Sequence, residues 1–179
     1  TGGNAIKVNH FKDDSVSGSL ITRAMAMALS VSEVNASMGR IVAAPTAGAS
    51  GIIPGVLFTM QEKYNYTDEE LVKALITSGV IGEIIAQNAS ISGAEGGCQA
   101  ECGSASAMGA AAICYLRGYK PDIMFAAAAF AIKNILGLVC DPVCGLVEYP
   151  CNLRNASGVV NAIISADLAM AAVNCLVPL

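Results

Sequence analysis

Runs of small apolar residues at helical spacing constrain the fold of this sequence more than any other feature. Two examples are "SASAMGAAAICYLRG", which begins at Ser104, and "PDIMFAAAAFAIKNILG", which begins at Pro121. No stretch alternates apolar and polar residues with the period of two that marks a half-buried strand. We therefore predict an all-α fold. Ala and Gly let helix axes approach closely, so the expected form is a compact bundle of Ala/Gly-rich buried helices.

Helix start and stop signals give the bounds of the predicted helices. Ser17 or Ser19 could cap the first helix, and "TDEE", from Thr67 to Glu70, has the form of a capping box. Pro121 suits the first turn of a helix. The predicted helices are Leu20–Met38, Ile52–Tyr64, Thr67–Ser90, Ser104–Gly118, Pro121–Gly137 and Asn155–Leu176. An extended lead-in is predicted for Thr1–Ser19, and Gly-rich or small-residue loops for Ala44–Gly51 and Ser92–Gly103.

The charge balance of the chain limits its partners. Of its 179 residues 54% are hydrophobic and 13% charged, and the formal net charge is −4, with no run of Lys or Arg. Nucleic acid is therefore not expected as a partner, because phosphate binding needs clustered cations. The length suits one domain with a sizeable core, and the scarcity of charge indicates that another chain covers part of the surface.

The longest uncharged window, Ile41–Gln61, does not predict a membrane span. Pro45, Pro54 and several glycines interrupt it, whereas a spanning helix needs about 20 continuous apolar residues. The sequence begins with Thr1 and shows no secretory signal pattern. We therefore expect a cytoplasmic protein without a membrane partner, cut from a longer polypeptide.

The stretch "CDPVCGLVEYPC", from Cys140 to Cys151, is unusually rich in cysteine and proline. The chain has seven cysteines, an odd number, and the cytoplasm keeps thiols reduced. Both facts argue against a disulfide framework.

Two pairs of cysteines, Cys98 with Cys102 and Cys140 with Cys144, are each four residues apart. This spacing suggests a four-thiolate zinc site, although it is looser than the usual zinc motifs. The alternative is that most of the cysteines are small buried hydrophobic residues. That reading applies best to the two that lie in apolar helical runs, Cys114 and Cys175.

Cys98, Cys140 and Cys151 each lie in a loop-like context beside Gly or Pro. Free backbone N–H groups in such loops can donate to sulfur, an environment that suits an iron–sulfur cluster. Three thiolate ligands would leave one iron of a [4Fe–4S] cluster without a protein ligand, and an open position is typical of catalytic metals. From the residues alone, zinc, an iron–sulfur cluster and purely structural cysteines all remain open.

Three long motifs follow one another along the chain: "APTAGASGIIP", "SISGAEGGCQAECGSA" and "LGLVCDPVCGLVEYPCNLRNA". In this order the sequence resembles the iron–sulfur-dependent L-serine dehydratases (L-serine deaminases), specifically the α chain of the two-subunit type. The resemblance extends over nearly the whole chain. It implies a [4Fe–4S] cluster whose ligands are Cys98, Cys140 and Cys151, with Cys102 and Cys144 at non-ligand positions.

The resemblance also implies an organisation. Residues 1–179 would form a single catalytic domain, the C-terminal part of a longer α chain that pairs with a β chain and oligomerises further. Single-chain members carry paired histidines at the positions of Lys133 and Asn134. No histidine-based acid–base role is therefore expected at these two positions, and Cys175 is not assigned the role of a C-terminal cysteine beside the open iron.

The reaction implied by the resemblance converts L-serine into pyruvate and ammonia without pyridoxal phosphate. An iron that lacks a protein ligand would act as a Lewis acid on the substrate hydroxyl in a β-elimination. Two alternatives stay open. One is a [4Fe–4S]-dependent L-cysteine desulfidase, and the other is a non-catalytic helical subunit with structural zinc.

A site for the substrate carboxylate is predicted in the loop "PTAGAS". Small residues ahead of a helix expose successive N–H groups, which suit an anion. The candidate residues are Thr46, Ala47, Gly48, Ala49 and Ser50. Arg154 could hold a carboxylate bidentately or could brace the cysteine loop.

The group that removes the α-proton is not identified by the sequence. The candidates for a catalytic side chain are Lys133 and Glu95, and Glu101 lies on the other side of Cys98. His10 is the single histidine and is expected at the surface, because it lies in a polar segment.

Overall fold

The computed structural model describes residues 2–176, and in that range it contains eight α-helices, two short 3-10 turns and no strand. The helices are α1 (Asn4–His10), α2 (Gly18–Ala36), α3 (Ile52–Tyr64), α4 (Asp68–Asn88), α5 (Gly93–Gly96), α6 (Cys98–Leu116), α7 (Pro121–Lys133) and α8 (Cys151–Met170). The 3-10 turns are Ala47–Ala49 and Val143–Gly145. The predicted all-α fold is confirmed.

Helix α6 forms the centre of the bundle and packs against α3, α4, α7 and α8. Every residue from Cys102 to Cys114 is buried, and most of them are Ala, Gly or Ser. Such a helix is apolar on all sides, so it has no solvent face and must be surrounded by other helices. The small side chains allow four neighbours to reach it at once.

Helices α6 and α8 run in the same direction with their starts side by side. The hydroxyl of Ser106 donates to the carbonyl oxygen of Gly158 at 2.9 Å, about two turns into each helix. One turn further on, a Cβ on Gly109 would lie 3.3 Å from the Cβ of Ala162. Because a later residue of α6 contacts a later residue of α8, the two helices are parallel. Their N-termini therefore lie at the same end of the bundle.

Helix α3 lies beside this pair and points the same way. Ile52 packs against Gly158, and Val56 packs against Gly109, which is further along α6. The small-residue loop that precedes α3 therefore lies level with the first turns of α6 and α8. Three helix N-termini face one end of the molecule.

Local signals predicted several helices well. Helix α3 has the predicted bounds, and the capping box is confirmed, because the Thr67 hydroxyl accepts from Glu70 N at 3.3 Å and the Glu70 carboxylate accepts from Thr67 N at 2.8 Å. Helix α2 begins directly after Ser17, but that side chain makes no capping bond. Helix α7 ends at Lys133, earlier than predicted.

The predicted extended lead-in is wrong, because residues 4–10 form α1. The carboxylate of Glu33 on α2 accepts hydrogen bonds from the backbone N–H groups of Asn4 and Ala5, at 2.7 and 3.0 Å. This cap comes from a distant part of the chain, so the local sequence gave no sign of it. Thr1, the first residue of that predicted segment, lies outside the described residues, as do residues 177–179.

The predicted Gly-rich loop at 92–103 is also wrong, and the last helix starts earlier than predicted. A single helical turn occupies Gly93–Gly96, α6 already begins at Cys98, and α8 begins at Cys151. Gly97 and Pro150 lie at the N-cap positions of α6 and α8. Gly and Pro residues that suggest a loop in the sequence thus lie at the starts of helices.

Helix α4 presents an apolar outer face. Four large side chains at helical spacing are exposed there: Val72, Leu75, Ile76 and Val80. The expectation that another chain covers part of the surface stays a prediction. Within residues 2–176, no helix combines the length and apolarity needed to cross a membrane.

Two glycine-to-alanine substitutions test the close packing. A Cβ on Gly51 would collide with the backbone carbonyl oxygen of Ala28, whereas a Cβ on Gly79 would meet no atom within 4 Å. We expect Gly51→Ala to lower the free energy of unfolding by about 1–3 kcal/mol through overpacking. Gly79→Ala should raise it by about 0.5–1 kcal/mol, because glycine is unfavourable inside a helix. Urea unfolding followed by circular dichroism measures both, and shifts of the same sign would contradict this packing.

Candidate metal centre

The three predicted ligand cysteines lie at the end of the bundle where the helix N-termini meet. Cys98 is the first residue of α6, and Cys151 is the first residue of α8. Both are buried, whereas Cys140 is exposed in the non-helical segment after α7. The predicted loop-like context is therefore right for Cys140 and wrong for the other two, whose neighbouring Gly and Pro are helix caps.

The thiols of these cysteines are close enough to influence one another. The pKa of Cys140 is raised by desolvation, by the charges of Cys98 and Glu101, and by a hydrogen bond with the Cys98 thiol. The pKa of Cys151 is raised by burial and by the charges of Cys98, Glu101 and Cys140. The three sulfur atoms thus share one neighbourhood with the carboxylate of Glu101.

Cys98 differs from the other two because its surroundings favour the thiolate. Hydrogen bonding from the Cys102 thiol and from the Arg154 guanidinium lowers the pKa of Cys98 to about 6, in spite of its burial. The same contact with Cys98, together with burial, raises the pKa of Cys102. At neutral pH the structure therefore favours an anionic sulfur on Cys98 and a neutral thiol on Cys102.

Arg154 braces the segment that carries Cys140. Its Nη1 donates to the Cys98 sulfur at 3.1 Å and to the carbonyl oxygen of Val139 at 3.0 Å, and it forms an ion pair with Asp141. The side chain is only 14% exposed. The sequence left two roles open for Arg154, and these contacts are those expected of a residue that braces the cysteine loop. Its role in binding the substrate carboxylate stays a prediction.

Gly97 permits the close approach of the Cys140 segment to α6. Its φ of +78° would be strained for any other residue, and a Cβ there would lie 2.6 Å from the carbonyl oxygen of Leu138. The N–H of Gln99 donates to that same carbonyl at 3.0 Å, and its side-chain oxygen accepts from Gly137 N at 2.7 Å. The segment is thereby fixed against the first turn of α6.

The first turns of α6 and α8 are suited to anions. Within the part of the chain that the structure describes, no side chain caps either helix. Helix N-termini carry a partial positive charge, which stabilises thiolates. Here the two helices each begin with a cysteine, although several of their first N–H groups are already paired, as Gln99 N is with Leu138 O and Asn152 N with Glu148 O.

The predicted anion loop lies next to the cysteines. Residues Ala47–Ala49 form a 3-10 turn, and the Thr46 hydroxyl donates to Oε1 of Glu101 at 2.5 Å. The hydroxyl oxygen of Ser50 is buried and has no hydrogen-bond partner among the described residues. The role of Thr46, Ala47, Gly48, Ala49 and Ser50 in substrate binding stays a prediction.

Asn155 joins this loop to the start of α8, and the sequence analysis missed it. Its Oδ1 accepts from Gly51 N at 2.9 Å, and its Nδ2 donates to the carbonyl oxygens of Gly48 at 2.6 Å and Cys151 at 2.9 Å. The residue is 1% exposed. Its position four residues after Cys151 places it on the same helix face as that cysteine, which is the one sign of this role in the sequence.

The two catalytic candidates lie in different surroundings. Glu95 is exposed, accepts a hydrogen bond from the Ser90 hydroxyl at 2.5 Å, and lines an open groove of about 350 Å³ that Cys140 also lines. Lys133 lies over the ring of Phe130 at 5.2 Å, and its Nζ is 3.8 Å from the Cys175 sulfur. The structure brings Glu95 to the site, and the contacts of Lys133 are with Phe130 and Cys175.

The arrangement of the donors bears on which metal group could bind. Among residues 2–176, no three His, Cys, Asp or Glu side chains converge as ligands of one ion do; the four-thiolate zinc site stays an untested alternative. Thiolates around a cluster of several irons surround a wider group and need not converge on one point. Three neighbouring thiols, uncapped helix N-termini and the adjacent Arg154 fit such an anionic cluster.

Two buried polar atoms, one in the predicted anion loop and one on the residue after Cys151, bear on the same fit. Ser50 Oγ and Asn152 Nδ2 have no hydrogen-bond partner in the described part of the chain. Buried polar groups are normally paired. A group bound beside Cys151 is one way to pair them.

The structure is an all-α bundle in which thiols and the predicted anion loop lie together at helix N-termini. This arrangement defines a candidate metalloenzyme domain. The chain belongs to the serine dehydratase alpha chain family, whose sequence model matches residues 1–179.

Named relatives agree with this membership. The chain is 58% identical over 164 residues to the L-serine dehydratase, alpha chain, of Peptoniphilus asaccharolyticus, covering 92% of this chain and 56% of the relative. It is 52% identical over 180 residues to a probable L-serine dehydratase, alpha chain, of Bacillus subtilis, covering 99% and 60%. An L-serine dehydratase of Streptomyces coelicolor is 46% identical over 144 residues, covering 80% and 32%. The chain thus spans between 32% and 60% of the length of these relatives.

Substitution of Asn155 tests the connection between the loop and α8. Asn155→Ala would remove the partner of two buried backbone groups, the N–H of Gly51 and the carbonyl oxygen of Gly48, and each such group costs about 1–3 kcal/mol. We expect the free energy of unfolding to fall by about 3 kcal/mol or more. Asn35→Ala is the control. Asn35 makes a single, more exposed hydrogen bond to the same loop, from its Nδ2 to the carbonyl oxygen of Ala47 at 3.1 Å. Loss of that bond should cost less than about 1 kcal/mol. Urea unfolding measures both, and equal losses would refute the special role of Asn155.

Proposed function

We propose that this chain is the catalytic domain of an L-serine ammonia-lyase that converts L-serine into pyruvate and ammonia. In this proposal Cys98, Cys140 and Cys151 hold a [4Fe–4S] cluster, and a β chain completes the enzyme. The observation that carries the proposal is the meeting of these three thiols with an anion loop at one end of the bundle. Membership of the family supports the substrate and the β-chain partner.

The bound cluster would supply a Lewis-acidic iron for the substrate hydroxyl, whose departure is the difficult part of the elimination. The chain's own residues would have two tasks in this step. Arg154 and the starts of α6 and α8 balance the negative charge of the thiolates. The backbone N–H groups of Ala47–Ser50 would hold the substrate carboxylate.

The elimination breaks the Cα–H and Cβ–O bonds and leaves an enamine. Water then hydrolyses the enamine to pyruvate and ammonia, so the protein needs no further catalytic group for that step. Glu95 remains a candidate for the proton acceptor because it shares a groove with Cys140. Pyridoxal phosphate has no part in this proposal, and Lys133 is not required as a Schiff-base residue.

The related candidate is a cluster-dependent L-cysteine desulfidase, which would use the same three thiols. Ammonia release from L-serine and from L-cysteine by the complete, anaerobically prepared α–β enzyme distinguishes the two. We expect L-serine to be the better substrate by kcat/KM, since the named relatives are L-serine dehydratases. A preference for L-cysteine would contradict the proposal.

Single cysteine substitutions test the ligand set. Cys98→Ala, Cys140→Ala and Cys151→Ala should each reduce the bound iron and sulfide to a small fraction of the wild-type amount, because each removes one cluster ligand. Iron and sulfide analysis of anaerobically prepared α–β enzyme measures the effect.

Two other cysteines provide matched controls. Cys114 is fully buried in α6, with a pKa raised by burial to about 12, and Cys144 is exposed in the same cysteine-rich stretch as Cys140. Cys114→Ala and Cys144→Ala should keep the wild-type iron content. Equal iron loss in all five variants would show that the three thiols are not a distinct ligand set.

A further inference from the structure

Glu101 lies close to the cysteines and to the anion loop, and the proposed reaction gives it no role. It lies in the first turn of α6, one turn after Cys98. A Cβ on Gly48 would be 2.8 Å from its Oε1, and a Cβ on Gly93 would be 2.6 Å from its Oε2. The carboxylate therefore fits between two glycines, one in the anion loop and one beside Cys140, whose sulfur would be 3.8 Å from the Gly93 Cβ.

The carboxylate of Glu101 lies beside two of the proposed cluster ligands. It is one turn after Cys98 on α6, and a Cβ on Gly93 would lie 2.6 Å from its Oε2 and 3.8 Å from the Cys140 sulfur. These sulfurs would be anionic as cluster ligands, and like charges at close range repel. A cation bound beside Glu101 would offset that repulsion.

The described part of the chain supplies Glu101 with little compensation. Its one hydrogen-bond donor from a side chain is the hydroxyl of Thr46, and no Lys or Arg of residues 2–176 forms an ion pair with it. Arg154 is engaged with Asp141 and Cys98. An ionised carboxylate can accept about four hydrogen bonds, so Glu101 has capacity for a cationic donor.

We propose that Glu101 binds the α-ammonium group of the substrate. This inference rests on the proposed function, because it takes the substrate to be an α-amino acid held by the loop Ala47–Ser50. An α-amino acid carries its carboxylate and its ammonium on one carbon. Glu101 lies against Gly48 of that loop, so an anion site and a cation site are adjacent, as a zwitterion requires.

The proposal makes Glu101 the residue that selects amino acids over hydroxy acids. L-serine and 3-hydroxypropanoate share the carboxylate and the β-hydroxyl, but 3-hydroxypropanoate has no ammonium. Without the ammonium to offset its charge, Glu101 gives 3-hydroxypropanoate no favourable contact. The wild-type enzyme is thus expected to bind L-serine better than this analogue.

Glu101→Gln removes the charge and keeps the shape and an acceptor for Thr46. In the complete α–β enzyme, prepared anaerobically, KM for L-serine should rise about tenfold to a hundredfold, as expected for the loss of a charged hydrogen bond. The inhibition constant of 3-hydroxypropanoate should change less than about twofold or fall, and the iron content should stay at the wild-type value. Glu83→Gln, an exposed site on α4, is the control and should change none of these quantities.

Other outcomes would overturn the proposal in recognisable ways. A fall in kcat at unchanged KM would make Glu101 the proton acceptor instead, and a loss of iron would make it a support of the cluster. If Glu101→Gln does not fold, Glu101→Asp decides, because it keeps the charge and should keep the preference for L-serine over 3-hydroxypropanoate. The wild-type enzyme separates the two proposals, since a failure to turn over L-serine there would count against the function itself.

Discussion

The parallel packing of α3, α6 and α8 is the constraint on which the rest of the site depends. Small residues at the crossings, such as Ser106 against Gly158 and Gly109 against Ala162, bring these helices together with their N-termini at one end. Each N-terminus contributes a partial positive charge. Their convergence creates a region where thiolates and a substrate carboxylate can be held close together.

Charges around this region are arranged in opposing pairs. Arg154 contacts the Cys98 sulfur and fixes the segment that carries Cys140, so one cation both stabilises a thiolate and positions a second thiol. The carboxylate of Glu101 lies between Gly48 of the predicted anion loop and Gly93 beside Cys140. Under the proposed function, the fixed cation and the helix N-termini would balance the charge of an anionic cluster, and the carboxylate would bind the ammonium group of a zwitterionic substrate.

The sequence predicted those features that are encoded locally. The capping box at Thr67 and the bounds of α3 depend on neighbouring residues, and both are confirmed. The α1 helix was missed because its cap, Glu33, lies far along the chain. Gly97 and Pro150 were interpreted as loop residues, since a sequence does not show whether such residues interrupt a helix or precede one. Asn155 was missed because its value comes from tertiary contacts with Gly48 and Gly51.

The central claim is that three thiols hold one cluster whose remaining iron faces the amino-acid site. Mössbauer spectroscopy of the complete α–β enzyme, prepared anaerobically with isotopically enriched iron, tests this claim most directly. The account predicts a four-iron cluster in which one iron changes its spectrum when L-serine is added and the other three do not. A protein without a cluster would contradict it, and so would a cluster in which no iron changes its spectrum when L-serine is added.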